Sequence, residues 1–316
     1  MTLKNDKLRL LKYLLVIIIC LYTSSFGLSD YDYYWQAKLG KYIVTEHNFN
    51  GAYDLVWGNL NVESYLDHEW LSNIIFYMFS LLGTCGIFLL KFSICLFLGI
   101  SICLMMDMFC KKIDGINLVS LLVVIFLVSC LVFKVKAYSI SMAFVIFEIM
   151  LLYKYKNNKA NKYLIYAVLL LIIWNNFHSG SMPLFFVIAG VFWLVHLRNK
   201  ESLICGIVCV LSTGINPYGY KLVLFDLAHN NNSVMKDLLL DWRPIDAKEE
   251  YGIMCFIVLA IILFNILVSK YEIDYFTIII SILFLYLILS SARHMIYIIP
   301  IFILLLSELK TDIKYN

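Results

Sequence analysis

Charge is scarce in this chain: Asp, Glu, Lys and Arg together make up 15% of its 316 residues, and the formal net charge is only +3. That leaves no basic surface to argue for nucleic acid, and the Lys and Arg residues fall in short connections between apolar runs, where they report topology. Proline is nearly absent, with four in the whole sequence. No Gln, Ser or Pro tract marks a disordered tail, and no repeat with a period of roughly 20 to 50 residues is present. The nine cysteines lack the spacing of a zinc site. Cys205 and Cys209 lie one helical turn apart with no His or second Cys pair to accompany them, so they read as small buried hydrophobes, and neither disulfides nor structural zinc are expected.

What fills the sequence is apolar: 62% of residues are hydrophobic and the mean hydropathy is +0.84, which excludes an ordinary soluble domain. The apolar runs are continuous and do not alternate with polar residues, so helical spans fit and β-barrel strands do not. The expectation is an all-α, polytopic transmembrane bundle with about ten spans, forming a single membrane domain over residues 1–316. Lys4, Lys7, Arg9 and Lys12 precede a first run from about Tyr13 to Leu28, placing the N-terminus in the cytoplasm. The segment from Ser29 to about Trp70 is polar and aromatic and reads as a long external loop. Leu71–Leu82 is then an interfacial or half-inserted helix. Spans follow at Ile87–Met106, Ile116–Phe133, Ala137–Tyr153, Tyr163–Trp174, Pro183–Leu197, Leu203–Ile215, Ile253–Val268, Tyr275–Leu289 and Met295–Leu306.

This alternation puts the basic segments on the cytoplasmic side: Lys154 to Lys162, Arg198 with Lys200, Lys270, and Lys310 with Lys314. The C-terminus is then cytoplasmic, in the cell membrane. Asn175–Gly180, Asn216–Tyr251 and Ser291–His294 come out external, together with the first long loop.

Most of the unusual polar chemistry lies in those external segments. Asp30 and Asp32 stand two residues apart beside Tyr31, Tyr33, Tyr34 and Trp35. They read either as a general base, with Mg²⁺ or Mn²⁺ if any metal is used, beside sugar-stacking aromatics, or as an interfacial belt with a helix cap. Asp67-His68-Glu69-Trp70 reads as a site or as a cap on the following helix, and it lacks the second His one turn on that a zinc motif requires. Asp54 reads as a turn residue or a ligand. Asn176 and His178 interrupt two apolar runs and should face water or a cavity. Asp241 with Arg243, and Arg293 with His294, offer planar guanidinium groups suited to phosphate, with headgroup contact or salt bridging as the plain alternative. Lys136 is external against the positive-inside tendency and serves either as an anchor or as a phosphate ligand.

Taken in order, the Asp30/Asp32/Trp35 block with Gly40 and Asp54, the His68-Glu69-Trp70-Leu71 block, Asn176/His178/Gly180, Asn216-Pro217/Gly219, Asp241-Trp242 and Arg293-His294 resemble a branch of bacterial multi-span proteins related to the GT-C glycosyltransferases. The match spans most of the chain. It departs at Gln36, where His is expected after Trp35, and at Lys136-Ala137, where Arg-Pro is expected. The resemblance implies an enzyme that transfers a sugar from a polyprenyl-phosphate donor to an envelope glycan, lipid or protein on the extracytoplasmic face. Asp30 or Asp32 would be the general base, and Arg243, Arg293 and Lys136 would stabilise the leaving phosphate. His178, His68 and Glu69 would position sugar hydroxyls. No cofactor is certain; Mg²⁺ or Mn²⁺ at Asp30 and Asp32 is the metal reading. A polysaccharide polymerase, a flippase of lipid-linked sugars and a non-enzymatic scaffold are the competing readings. Of the ionisable residues, Glu148 and Lys91 lie inside apolar runs while the rest cluster at one face, which favours surface chemistry over ion-driven transport.

Overall fold

The computed structural model describes residues 2–25, 32–49, 66–110, 113–229, 239–268 and 272–308. Among the described residues all regular structure is helical, with no strand. The chain divides into two compact units. One comprises Met1–Gly27, Ile94–Phe133 and Ser233–Asn316, and the other comprises Leu28–Ser93 and Lys134–Asn232.

The first unit contains α1 (Thr2–Ser24), the part of α4 (Gly83–Phe109) from Ile94 onward, and α5 (Gly115–Val132). Asp114 starts α5 by accepting from the Asn117 amide at 2.8 Å, satisfying one of the amides that a helix start leaves without an intrahelical partner. Leu121, Val124, Ile125 and Val128 recur at three- and four-residue spacing and are fully buried. Such a stripe gives a helix one packing face, and α5 packs against α1 and against two later helices of this unit.

The second unit holds α2 (Asp32–Glu46), α3 (Trp70–Ser80), the start of α4, α6 (Ala137–Asn158), α7 (Lys162–Phe177), α8 (Pro183–Phe192, extended by a π turn to Leu197), α9 (Lys200–Ser212) and α10 (Lys221–His229). Tyr33, Gln36, Ala37, Gly40 and Ile43 form the buried face of α2, which packs on α3. The approach is close: a Cβ on Gly40 would lie 1.9 Å from the carbonyl oxygen of Asn73. His47, with φ of 51°, ends α2 in the left-handed conformation, and Gly83, at φ of 60°, separates α3 from α4, a turn that glycine makes without steric cost.

In the first unit again, α11 (Glu250–Val268), α12 (Tyr275–Ser290), a 3₁₀ turn (Ala292–Tyr297) and α13 (Ile298–Ser307) close the chain.

Among the described residues, five helical segments are long and apolar enough to cross a membrane: Gly83–Phe109, Gly115–Val132, Ala137–Asn158, Ser179–Leu197 and Glu250–Val268. Lys162–Phe177, Tyr275–Ser290 and Ala292–Ser307 are shorter and also apolar. Phe256, Leu263, Phe264 and Leu267 on α11 and Ile165, Leu169 and Ile173 on α7 are exposed. Rows of outward aliphatic and aromatic side chains suit lipid contact.

Two segments expected as external loops contain helices. The Asp32–Glu46 stretch is α2, because its smaller and apolar residues recur at helical spacing toward α3 while Trp35 and Tyr34 point outward. The Asn216–Tyr251 stretch contains α10, which docks on the Ser179–Ser181 turn. The Leu71–Leu82 expectation corresponds to the separate short helix α3.

Candidate functional site

The site belongs to the second unit and starts from the turn that precedes α3. Asp67 is buried there, and both of its carboxylate oxygens accept from Asn73 Nδ2, at 3.0 and 2.8 Å. The Glu69 amide also donates to Asp67, at 3.0 Å. Burial pushes the Asp67 carboxyl up to about 6 against these hydrogen bonds, which pull it down. The turn is thereby locked, and it presents His68 and Glu69 side by side.

A second segment, at the end of α7, is tied onto that turn. Trp70 Nε1 donates to Asn176 Oδ1 at 3.0 Å, Ser72 Oγ donates to the Phe177 carbonyl at 2.6 Å, and the Ser179 amide donates to the His68 carbonyl at 3.0 Å. Asn176 is held in turn by donating to the carbonyls of Ile172 and Ile215, at 2.7 and 2.8 Å. These bonds carry His178 to Glu69. His178 Nε2 lies 3.4 Å and His68 Nε2 lies 3.8 Å from Glu69 Oε1. The other carboxylate oxygen, Oε2, accepts a short hydrogen bond from Gln36 Nε2 of α2.

The far side of the His178 ring is also fixed. Nδ1 lies 2.7 Å from Ser181 Oγ and 3.1 Å from Ser141 Oγ, and Trp174 Nε1 donates to Ser181 Oγ at 2.7 Å. Asp226 of α10 is buried and accepts from Ser179 Oγ at 2.5 Å. Its carboxyl is raised by burial and, less strongly, by Glu69, while His68 pulls it down. Gly180 borders both rings: a Cβ there would lie 3.6 Å from His68 Cδ2 and 3.7 Å from His178 Nε2.

The sequence candidates thus divide. His68, Glu69, Trp70, Asn176 and His178 come together. Asp32 and Lys136 form an ion pair at 2.7 Å, so the lysine expected on phosphate is engaged by the aspartate expected as base. Trp35 is exposed on α2 and is not among the residues that wrap Glu69. Asp30 and Asp54 lie outside the described residues. The second imidazole that the His68-Glu69 pair lacked in the sequence is supplied by His178, from the unit's later stretch of chain. Gln36, Ser141, Ser181 and Asp226 were missed. Gln36 stood out only as a departure from an expected His, and the two serines carry no sequence signal because their role depends on the fold.

Asp241, Arg243, Arg293 and His294 gather in the first unit. The Arg293 guanidinium stacks 3.8 Å over the Trp242 ring, Ser291 Oγ donates to the Asp241 carbonyl at 2.8 Å, and the Ala292 amide donates to the Arg243 carbonyl at 3.2 Å. His294 Nδ1 donates to the Leu287 carbonyl at 3.0 Å. A guanidinium stacked on an aromatic face keeps its edge available for hydrogen bonding.

Comparison of the chain with models of protein families, with curated proteins and with solved structures finds no match.

Proposed function

We propose that this chain is a membrane enzyme of the cell envelope that transfers a sugar from a polyprenyl-phosphate donor to a hydroxyl of a glycan, lipid or protein acceptor, using the Glu69 cluster as its reaction centre. The observation that carries this reading is the setting of Glu69, whose two oxygens are addressed by Gln36 on one side and by two imidazoles on the other. A carboxylate so held is pre-oriented to accept a proton. In the proposed step one of the cluster's two carboxylates, Glu69 or Asp226 beside His68, takes the proton of the acceptor hydroxyl as its oxygen bonds to the anomeric carbon. The bond from that carbon to the lipid phosphate breaks, and the phosphate leaves with the electron pair. General base catalysis of this kind contributes about 10²- to 10⁴-fold. The Asp30/Asp32 pair gives up the base role in this reading, since Asp32 is engaged by Lys136.

Placement supports the same reaction. Ser141 stands one turn into α6, Asn176 and His178 lie at the end of α7, and the lysine-rich turn Lys154–Lys162 joins the opposite ends of these two helices. A helix of 22 residues spans about 33 Å, roughly the thickness of a bilayer core. With the lysines in the cytoplasm, the site opens at the extracytoplasmic face, where a lipid-linked sugar would present its headgroup. We read the chain as crossing about ten times, with both termini cytoplasmic and α3 at the interface.

The test is transfer of labelled sugar from polyprenyl-phosphate donors to envelope acceptors by the purified chain. Wild-type and Asp32→Asn proteins are expected to transfer, and Glu69→Gln to fail. Transfer that survives Glu69→Gln unchanged would overturn the site. A folded wild-type chain inactive with every donor offered would overturn the reaction.

A further inference from the structure

We propose that His68, Glu69 and His178 bind one divalent first-row transition ion of the zinc class. One ligand atom from each of His68, Glu69 and His178 lies within 4.8 Å of the other two, and His68 Nε2 and His178 Nε2 sit 3.8 and 3.4 Å from the same carboxylate oxygen, Glu69 Oε1. A tetrahedral ion with bonds of about 2.0–2.1 Å holds its donors about 3.3 Å apart. The two imidazoles therefore need to close on Glu69 by about half an ångström or less and on each other by at most about 1.5 Å. The donor set, two imidazoles and one carboxylate, is that of zinc and its first-row neighbours; Mg²⁺ and Ca²⁺ prefer oxygen ligands throughout.

The hydrogen bonds around His178 point to the same conclusion. Ser181 Oγ has one hydrogen and two lone pairs. It accepts from Trp174 Nε1, lies 2.7 Å from both Ser141 Oγ and His178 Nδ1, and donates to the His178 carbonyl at 3.2 Å. Four contacts fall on three positions, so the one hydrogen serves either Ser141 or the His178 carbonyl; in the tautomer whose Nδ1–H donates to Ser181, Nε2 carries no hydrogen. The lone pair of Nε2 then faces Glu69 Oε1, setting two acceptors against each other at 3.4 Å. A cation between them resolves that opposition. Fixing one nitrogen of a ligating His through a hydrogen bond at the other is how proteins orient such ligands. Asp226 is held beside the cluster by Ser179 Oγ, and Gly180, with no side chain to project toward His178 Nε2, leaves a position open for water or a substrate oxygen. With the ion bound, Glu69 is a ligand, and accepting the proton falls to Asp226.

The inference concerns the site of the transfer proposal and stands without it, because ion binding is read with no sugar donor present. Ion binding without transfer would overturn the reaction alone; transfer without ion binding would overturn this inference alone.

The full chain, purified in detergent and stripped with a chelator, is titrated with Co²⁺. The expected result is one saturable ion per chain with the visible absorption of tetrahedral Co²⁺, displaced by Zn²⁺ and not by Mg²⁺. Zn²⁺ should also raise the unfolding temperature of the wild type, since an ion that binds only the folded state stabilises it. Glu69→Gln and His178→Gln should lower affinity by more than about 100-fold and abolish the Zn²⁺-dependent rise. Ser181→Ala, which frees the His178 ring without touching the ion, should lower affinity about 10-fold or more. No saturable ion on the folded wild type would overturn the proposal, as would affinity unchanged in both ligand variants. Should the ligand variants fail to fold, Ser181→Ala decides: unchanged affinity there rejects the site.

Discussion

Glu69 and Glu148 lie in the same compact unit and are both withdrawn from water, yet their surroundings could hardly differ. Glu69 is addressed by Gln36, His68 and His178. Glu148, in the middle of α6, is fully buried, and among the described residues no side chain hydrogen-bonds its carboxylate, toward which only the Ala189 backbone reaches. The contrast shows that burial of a carboxyl group does not by itself make a site. A site is made by the second layer of groups that fix the carboxylate's orientation, and for Glu69 that layer is drawn from α2, α6 and the turn after α7.

The sharpest way to break the comparison is to neutralise each carboxylate in turn. Glu69→Gln should lower transfer by about 10²- to 10⁴-fold, while Glu148→Gln should leave it close to wild type; equal losses in a rate assay would erase the distinction. The next largest effect is expected from Gly40→Leu. A Cβ at this position meets the Asn73 carbonyl at 1.9 Å, so α2 must move away from α3. Stability should fall by about 3 kcal/mol in thermal unfolding, and Gln36 should withdraw from Glu69 with it. Wild-type stability from this substitution would show that the helices are not in contact there.

Asp67 gives a pH-dependent test of the layer itself. Its carboxyl is raised by burial from 3.8 to about 6. Below that window folded and unfolded chains both hold the proton. Within it the unfolded chain releases the proton first, so this group makes stability fall as pH rises, by about 1.4 kcal/mol per unit. Above it the loss is complete. Asp67→Asn should therefore lose less stability than wild type between pH 3.8 and about 6, as read by unfolding temperature at each pH. Parallel curves would mean that Asp67 titrates normally. The smallest expected effect runs in the opposite direction: Glu148→Met, which removes a buried carboxyl with no side-chain partner among the described residues, should stabilise the chain by about 1–2 kcal/mol. Destabilisation, or a loss of transfer, would give Glu148 a function that its surroundings do not reveal.

The membrane-length helices were legible because a long uncharged apolar run has few other ways to satisfy its backbone. The helix α2 was not, since its stripe of Tyr33, Gln36, Ala37, Gly40 and Ile43 mixes polar, small and apolar residues, and only packing on α3 makes it one face. For the site, His68, Glu69, Asn176 and His178 were each visible as polar residues in places where they should be costly. Their meeting was invisible, because it depends on the Ser179 amide reaching the His68 carbonyl 111 residues away in sequence. The base expected at Asp30 or Asp32 followed local composition; the ion pair of Asp32 with Lys136 is a tertiary contact that no local pattern announces.

That Ser179–His68 hydrogen bond also sets a clock. The ribosome makes Glu69 early and His178 much later, with α4, α5 and α6 between them. A chain arrested before α7 holds its glutamate with no imidazole partner from the later segment and without Ser181 to orient one. The His68–Glu69–His178 cluster is therefore incomplete until the turn after α7 has been made and docked, and on the proposed function the chain transfers nothing before then.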